Sequence, residues 1–223
     1  FDGEWCSDFA TLFGETFDPS YHVDDVPLGR LDKIDLTDIT RKASRRFFGG
    51  AGHDWVIGCD INLSPTSFVM CKVFGDPDDE HTWGLAVLDE LWVWNKGPSG
   101  AGRALLEYKD GIYAEAGISI DATAARAGSN AGRAGGRTGT PALELRALGF
   151  NCKPCNTSSS TGKHQNPDVQ DSTNLVKWLQ RQRPRRFMVA SHCHRTIRAL
   201  ETQEDRGDGR PPKVGGSWTD REV

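Results

Sequence analysis

The sequence has no run of eighteen apolar residues, so its 223 residues offer no candidate for a membrane-spanning helix. Its six cysteines are too few and too irregularly spaced for a disulfide framework in a chain of this length. Hydrophobic residues make up 37% of the chain, which is enough for one sizeable core. These features argue against a membrane channel or a small disulfide-rich module, and they favour a globular protein in a reducing cytoplasm.

Two catalytic sequence motifs are also absent. The chain contains no G-x-x-x-x-G-K-[ST] phrase, which argues against a nucleotide-binding P-loop and therefore against an ATPase motor. It contains no serine in a G-x-S-x-G turn, which removes the usual support for a Ser-His-Asp hydrolase.

Charge is distributed unevenly along the chain, although the net charge is only −4. Residues 1–110 hold 20 acidic and 10 basic residues, for a net −10, whereas residues 111–223 hold 11 and 17, for a net +6. Carboxylates in the first part are potential ligands for metal ions, and the basic second part suits a polyanion. Ordinary variation in surface charge would explain the same difference.

The apolar pattern predicts an α/β protein. Short apolar runs separated by turn residues predict strands over residues 55–60, 67–74 and 82–94, which would form an antiparallel meander. Further strands are predicted over 112–120, 150–155 and 187–190. Helical spacing predicts helices over 38–46, 99–109, 141–148, 171–181 and 193–202. The seven tryptophans, apart from Trp218, are expected in the core.

Three early strands followed by alternating helices and strands predict a mixed β-sheet flanked by helices. That order fits an RNase H-like architecture, and it fits many unrelated α/β folds as well.

Two aspartates each end an apolar run. Asp60 closes the predicted strand over 55–60, and Asp121 closes the one over 112–120. An ionised carboxylate is costly in a core, so such a residue normally lies at a strand end, paired or bound to metal. Two carboxylates on neighbouring strands can hold hard cations such as Mg²⁺ or Mn²⁺. An aspartate at a strand end is also a common turn residue.

Several phrases, in order along the chain, resemble the large terminase subunit of tailed bacteriophages. They are F-D-G-E-W at 1–5, V-I-G-C-D-I-N at 56–62, L-D-E at 88–90, I-S-I-D-A-T at 118–123, N-P-D-V-Q-D at 166–171, the predicted helix at 193–200, and the segments 212–213 and 218–220. Two positions depart from the family pattern, because Ser172 replaces a common arginine and Ser217 replaces a histidine.

This resemblance implies that residues 51–223 form an RNase H-like nuclease domain and that residues 1–50 form an arm from a missing upstream ATPase domain. It implies a metal-dependent endonuclease that cuts concatemeric viral DNA during genome packaging. Asp60, Asp121 and Asp220 would be the catalytic carboxylates and would hold two Mg²⁺ or Mn²⁺ ions. Glu90 and Asp171 would lie in the surrounding shell.

The resemblance also implies partners and a location. The partners would be double-stranded DNA, the portal protein, the small terminase subunit and the ATPase domain, with no membrane, in the cytoplasm of the infected or lysogenic host and outside the mature virion. DNA phosphates would be contacted by basic side chains, or these would simply form solvated surface. The candidates are Arg126, Arg133, Arg137, Lys177, Arg181 and Lys213, with Arg183, Arg185, Arg186, Arg195 and Arg198 in the same basic cluster.

Three alternatives remain open from the sequence. The first is another RNase H-like nuclease of the resolvase or transposase type. The second is a catalytically degenerate DNA-binding or docking domain. The third concerns Cys152 and Cys155, whose C-x-x-C spacing could form a zinc site with the His192-Cys193-His194 segment.

Overall fold

A computed structural model describes residues 11–25, 36–61, 65–76, 78–79, 81–121, 139–155 and 169–205. Within these ranges seven strands form one sheet. They are β1 (Val23–Asp24), β2 (Val56–Ile61), β3 (Thr66–Phe74), β4 (Gly84–Val93), β5 (Gly117–Ile120), β6 (Asn151–Pro154) and β7 (Phe187–Ala190).

Six α-helices accompany these strands in the described ranges. They are α1 (Pro19–His22), α2 (Leu36–Phe48), α3 (Pro98–Glu107), α4 (Pro141–Ala147), α5 (Val169–Arg181) and α6 (His194–Thr202). The longest have 13 residues, and no described helix is long and apolar enough to cross a membrane. The predicted α/β class with a mixed sheet is therefore confirmed.

The sheet order is β1-β7-β4-β3-β2-β5-β6. The predicted meander is confirmed, because β3 pairs antiparallel with both β2 and β4. All other pairings in the sheet are parallel. Six of the seven strands consequently run in one direction, and their carboxyl ends meet at one edge, which we call the carboxyl edge. The opposite edge is the amino edge.

Each face of the sheet is covered by its own apolar layer. On one face, α3 and α4 bury Leu105 and Leu145 against Ile57 and Ile118 of the central strands. On the other face, α5 and α6 bury a second set of side chains over β4 and β7. This set includes Leu179, Leu200, Val87 and Val189. Within the described residues, the second layer lies over β4 and β7 and does not extend to β2 and β5. On this face, β2 and β5 are therefore left for other contacts.

The segment predicted to be a connecting arm is built into this fold where it is described. Val23 and Asp24 of β1 pair with β7, which makes β1 an outermost strand of the sheet. Phe17 is buried in the second apolar layer. In α2, Thr40 accepts a hydrogen bond from the backbone N–H of Val73 at the end of β3. The described parts of residues 1–50 therefore pack with the sheet. An upstream ATPase domain remains a prediction.

The strand predicted over residues 112–120 is wrong in its first half. A 3₁₀ turn over Tyr108–Gly111 precedes it, and Lys109 and Asp110 both have left-handed backbone angles. The chain then turns until β5 begins at Gly117. Tyr113 is fully buried within this turn, so its apolar character reflects packing of a turn and not a strand.

The tryptophan prediction is wrong at two described positions. Trp94 is 46% exposed just beyond β4, and Trp178 is 36% exposed on α5. The apolar face predicted for α5 is likewise only partly buried, since Leu179 is 2% exposed whereas Leu175 is 48% exposed.

Candidate active site at the carboxyl edge

Asp60 and Asp121 lie side by side at the carboxyl edge. Strands β2 and β5 are parallel neighbours, and their last paired residues are Cys59 and Ile120. The two aspartates are the next residues along each strand. Neighbouring strands lie about 4.8 Å apart, so the two Cα atoms are separated by roughly that distance. Two carboxylates that are 61 positions apart in the sequence thus become neighbours.

The two carboxylates also lie on the same face of the sheet. In β2, Cys59 is buried, whereas Gly58 and Asp60 are exposed. Side chains alternate along a strand, and Gly58 pairs with Ser119, so Asp121 shares the face of Asp60. Among the described residues, no atom lies within 4 Å of a methyl group placed on Gly58.

Two of the three predicted metal ligands are therefore brought together. Within the described ranges, no three His, Cys, Asp or Glu residues lie close enough to hold an ion as a complete set. Asp220 lies outside the described residues, as do Arg126, Arg133, Arg137 and Lys213. Paired oxygen donors on adjacent strands are the donor type that Mg²⁺ and Mn²⁺ prefer, so the residues present fit such ions.

Glu90, which the resemblance places in the shell around the metal site, binds the start of a helix. Its Oε1 accepts the backbone N–H of Arg195 at 2.9 Å, and its Oε2 accepts both the N–H and the hydroxyl of Thr196 at 2.9 and 2.8 Å. Both carboxylate oxygens thus bind the first turn of α6. A carboxylate is favoured there because the N–H groups at a helix start carry partial positive charge. Glu90 therefore holds α6 against β4.

The predicted residues on α5 are divided between the two edges of the sheet. Arg181 ends α5 close to the start of β7, which is at the amino edge. Trp178 and the neighbouring Lys177 lie on the same side, because the Trp178 ring is 6.1 Å from that of Trp83, just before β4 begins. Asp171 is exposed in the first turn, toward the carboxyl edge. Lys177 and Arg181 thus lie far from the aspartate pair.

Three more arginines of the predicted basic cluster make contacts within the protein. Arg185 donates to the Asp24 carboxylate at 2.9 Å. The Arg183 guanidinium lies 3.8 Å from the Tyr21 ring centroid, and that of Arg186 lies 5.5 Å from the Trp178 ring centroid. These side chains help attach β1 and α5 to β7.

Sequence reasoning missed a buried polar network centred on Asp89, which is 1% exposed. Its carboxylate accepts hydrogen bonds from the hydroxyl of Tyr113 at 2.7 Å and from that of Tyr108 at 3.1 Å. It also accepts the backbone N–H of Glu90 at 3.0 Å, and Lys109 lies 2.5 Å away. The L-D-E phrase marks the position, but only the folded chain brings these donors to it.

Burial keeps the two tyrosines of this network in their neutral form. Loss of hydration raises the pKa of Tyr108 to about 12, and the adjacent Asp89 carboxylate raises it in the same direction. Burial followed by the same carboxylate raises the pKa of Tyr113 far above its usual range. Both hydroxyls consequently remain hydrogen-bond donors to Asp89 at every pH at which the protein would be used.

The proposed zinc ligands are separated by the sheet. Cys152 and Cys155 belong to β6 and its end, whereas Cys193 follows β7. Four strands lie between β6 and β7, which amounts to roughly 24 Å at the usual strand spacing. A single ion therefore cannot bind all three thiols in this fold.

A cavity of about 740 Å³ lies at the amino edge, away from the aspartate pair. Its lining includes the α2 residues Arg41 and Arg45 and the glycine-rich turn before β2. His53 lines it as well and is held by the carbonyl of Glu115 at 2.7 Å. Neither Asp60 nor Asp121 lines this cavity.

Comparisons of the chain with protein-family models, with curated proteins and with solved structures give no significant match.

Proposed function

We propose that this protein is a metal-dependent nuclease that hydrolyses DNA phosphodiester bonds at the carboxyl edge of its sheet. The observation that carries the proposal is the placement of Asp60 and Asp121, in register, on adjacent parallel strands and on one face of the sheet. Paired carboxylates in this position suit two divalent cations better than they suit a buried structural role.

The sheet order supports an RNase H-like fold within the broader α/β class. Strands β2, β3 and β4 form the antiparallel meander, and β5 and β6 then join parallel to β2 on its free side. An RNase H-like sheet has this arrangement of five strands. Strands β7 and β1 extend the sheet beyond β4.

Asp60 and Asp121, with Asp220 as the expected third ligand, would hold Mg²⁺ or Mn²⁺. Bound ions of this kind lower the pKa of water and stabilise the charge that develops on a phosphate in phosphodiester hydrolysis. The protein's own contribution is to fix the two carboxylates on adjacent strands of the sheet.

The particular protein that we propose is the nuclease domain of a large terminase subunit of a tailed bacteriophage. The support is the ordered set of phrases along the chain, of which V-I-G-C-D-I-N and I-S-I-D-A-T supply the aspartate pair. Its substrate would be concatemeric viral DNA in the host cytoplasm. The ATPase domain, portal protein and small subunit would provide translocation and regulation.

The test is digestion of a supercoiled plasmid with Mg²⁺, with Mn²⁺, and with EDTA. We expect nicking with at least one of the two cations and none with EDTA, because the carboxylates act through the ions they hold. Restoring the cation after chelation should restore nicking. Nicking that proceeds undiminished in EDTA would contradict the proposal.

The same assay separates the alternatives. A resolvase or transposase would cleave branched DNA in preference to plasmid, or would yield strand-transfer products. A degenerate DNA-binding domain would bind DNA and fail to nick it with either cation.

Cys155 provides a chemical probe beside the aspartate pair. Ile120 pairs with Pro154, so Cys155 follows β6 at the level of Asp121, and its Sγ lies 2.8 Å from the hydroxyl of Ser119. It is partly exposed, whereas the other four described cysteines are buried. Burial raises the pKa of Cys152 to about 11 and that of Cys71 and Cys193 to about 12, and it also raises that of Cys59. Buried thiols of this kind react slowly.

We therefore expect a bulky maleimide to label Cys155 first in a Cys6→Ser background. Labelling should reduce nicking by roughly a hundredfold, since displacing a reacting centre by about 1 Å can cost that much. Mass spectrometry measures the labelling, and the plasmid assay measures the loss. Cys155→Ser should nick normally and resist the reagent. Full activity after complete labelling at Cys155 would show that this thiol lies away from the active site.

A further inference from the structure

An arginine and two indole rings form an ordered group at the carboxyl edge. The Arg195 guanidinium carbon lies 5.2 Å from the ring centroid of Trp92 and 5.2 Å from that of Trp94. Trp94 is 46% exposed, so much of its ring is available for contact. Arg195 is itself exposed, and among the described residues no ion pair joins it to a carboxylate.

The backbone of Arg195 is held in position by Glu90 of β4. Glu90 binds the backbone N–H groups of Arg195 and Thr196, as described above, and this holds the first turn of α6 beside β4. Because Trp92 lies on the same strand as Glu90 and Trp94 directly follows that strand, one element positions both the rings and the helix that carries the guanidinium. A preorganised contact surface loses little side-chain entropy when a ligand binds.

This group lies on the same face of the sheet as the aspartate pair and at the same carboxyl edge. Ser67 of β3 pairs with Asp60 on one side and with Trp92 on the other. The three residues form one row across the sheet and share a face. Two strand spacings place Trp92 roughly 10 Å from Asp60.

An exposed indole beside a guanidinium suits one kind of ligand in particular. Aromatic rings stack on unpaired bases, and arginine contacts the adjacent phosphates and adds cation–π contact. Bases that are paired within a duplex do not expose their faces to such a ring. The combination therefore favours a single strand over intact duplex.

From these observations we propose that Trp94 and Arg195 form a stacking platform for unpaired bases of the DNA substrate, beside the aspartate pair. This inference rests on the proposed nuclease function, because it names the substrate feature that the same edge recognises.

The test is fluorescence anisotropy with a labelled 16-nucleotide thymidine strand and with a labelled duplex, both in EDTA so that neither is cleaved. Trp94→Ala should weaken single-strand binding about tenfold, which is the loss expected for one stacked base. Arg195→Ala should also weaken it. Duplex binding should change less than single-strand binding in both variants.

Trp178→Ala is the matched control. Trp178 is another exposed indole with an arginine 5.5 Å from its ring centroid, but it lies at the amino edge. It should bind the single strand as the wild type does. Unchanged single-strand binding in both Trp94→Ala and Arg195→Ala would overturn the platform. Equal losses for single strand and duplex, or an equal loss in Trp178→Ala, would overturn it as well.

The two proposals fail in distinguishable ways. If the protein nicks plasmid in a cation-dependent manner but binds single strands equally well after Trp94→Ala, the nuclease proposal stands and the platform proposal fails. A protein that binds single strands through Trp94 but nicks no DNA would retain a stacking surface on a domain that is not a nuclease.

Discussion

Asp60→Asn should abolish plasmid nicking while leaving the fold intact. The amide keeps the size of the side chain and removes the negative charge that binds a cation. If the bound ions supply about 4 kcal/mol of transition-state stabilisation, the rate should fall by roughly a thousandfold. Asp121→Asn should have a similar effect, because the two carboxylates form one site. The measurement is the initial nicking rate at saturating Mn²⁺.

Thermal unfolding with and without Mn²⁺ distinguishes loss of metal binding from loss of fold. A cation that binds only the folded state stabilises it by about 2.7 kcal/mol at one hundred times its dissociation constant. The wild type should show an increase in Tm on addition of Mn²⁺, and Asp60→Asn should show little or none. Both proteins should unfold at similar temperatures without the cation.

Asp54→Asn is the control for this pair of variants. Asp54 precedes the other end of β2, its side chain is 47% exposed, and it pairs with Arg41. It should nick as the wild type does. Full nicking by Asp60→Asn, or an equal loss in Asp54→Asn, would show that the carboxyl edge is not the catalytic site.

The central strands could be predicted from the sequence because they depend on local patterns. Strands β2, β3 and β4 are apolar runs bounded by turn residues, and short turns force them into a meander. Asp60 and Asp121 were recognisable because each carboxylate ends such a run. The two carboxylates become neighbours only because β5 pairs with β2. Their positions at two strand ends do not by themselves specify that pairing.

The outer strands and the turn before β5 could not be predicted in the same way. Strand β1 has two residues, which is too short for any periodicity, and it forms only because β7 offers a free edge. The sequence of the turn over 112–116 resembles that of a strand because it contains apolar residues. Two of them, Tyr113 and Ala116, are buried in the structure. Their burial comes from packing against the sheet, which is a long-range property.

The surroundings of the site were equally inaccessible to sequence reasoning. Glu90 binds helix donors that lie 105 and 106 positions further along the chain. The helix that ends at Arg181 has a good amphipathic pattern, but the direction of α5 places Arg181 at the amino edge. A pattern of charge along one helix does not specify the edge of the sheet at which each end lies.

The second large effect is expected at Asp89, whose replacement by alanine should destabilise the protein by about 3–5 kcal/mol. Removal of its carboxylate leaves the buried hydroxyl of Tyr113 without an acceptor, leaves that of Tyr108 only the Glu90 carbonyl at 3.5 Å, and removes one acceptor of the Glu90 backbone N–H. Each unsatisfied buried donor costs about 1–3 kcal/mol. Lys109 contributes less, because its side chain is 36% exposed and can reach water. Urea unfolding measures the change.

A double-mutant cycle assigns this loss to the network and not to a general defect at β4. Tyr113→Phe removes one hydrogen bond to the carboxylate, and its effect should be much smaller in the Asp89→Ala background than in the wild type. Asp38→Ala is the matched control, because Asp38 is 72% exposed and its ion pair with Arg41 is long, at 3.7 Å. Exposed pairs of this kind contribute about 0–1 kcal/mol. Additive effects of Asp89→Ala and Tyr113→Phe, or a loss at Asp38 as large as that at Asp89, would contradict a buried network that supports the carboxyl edge.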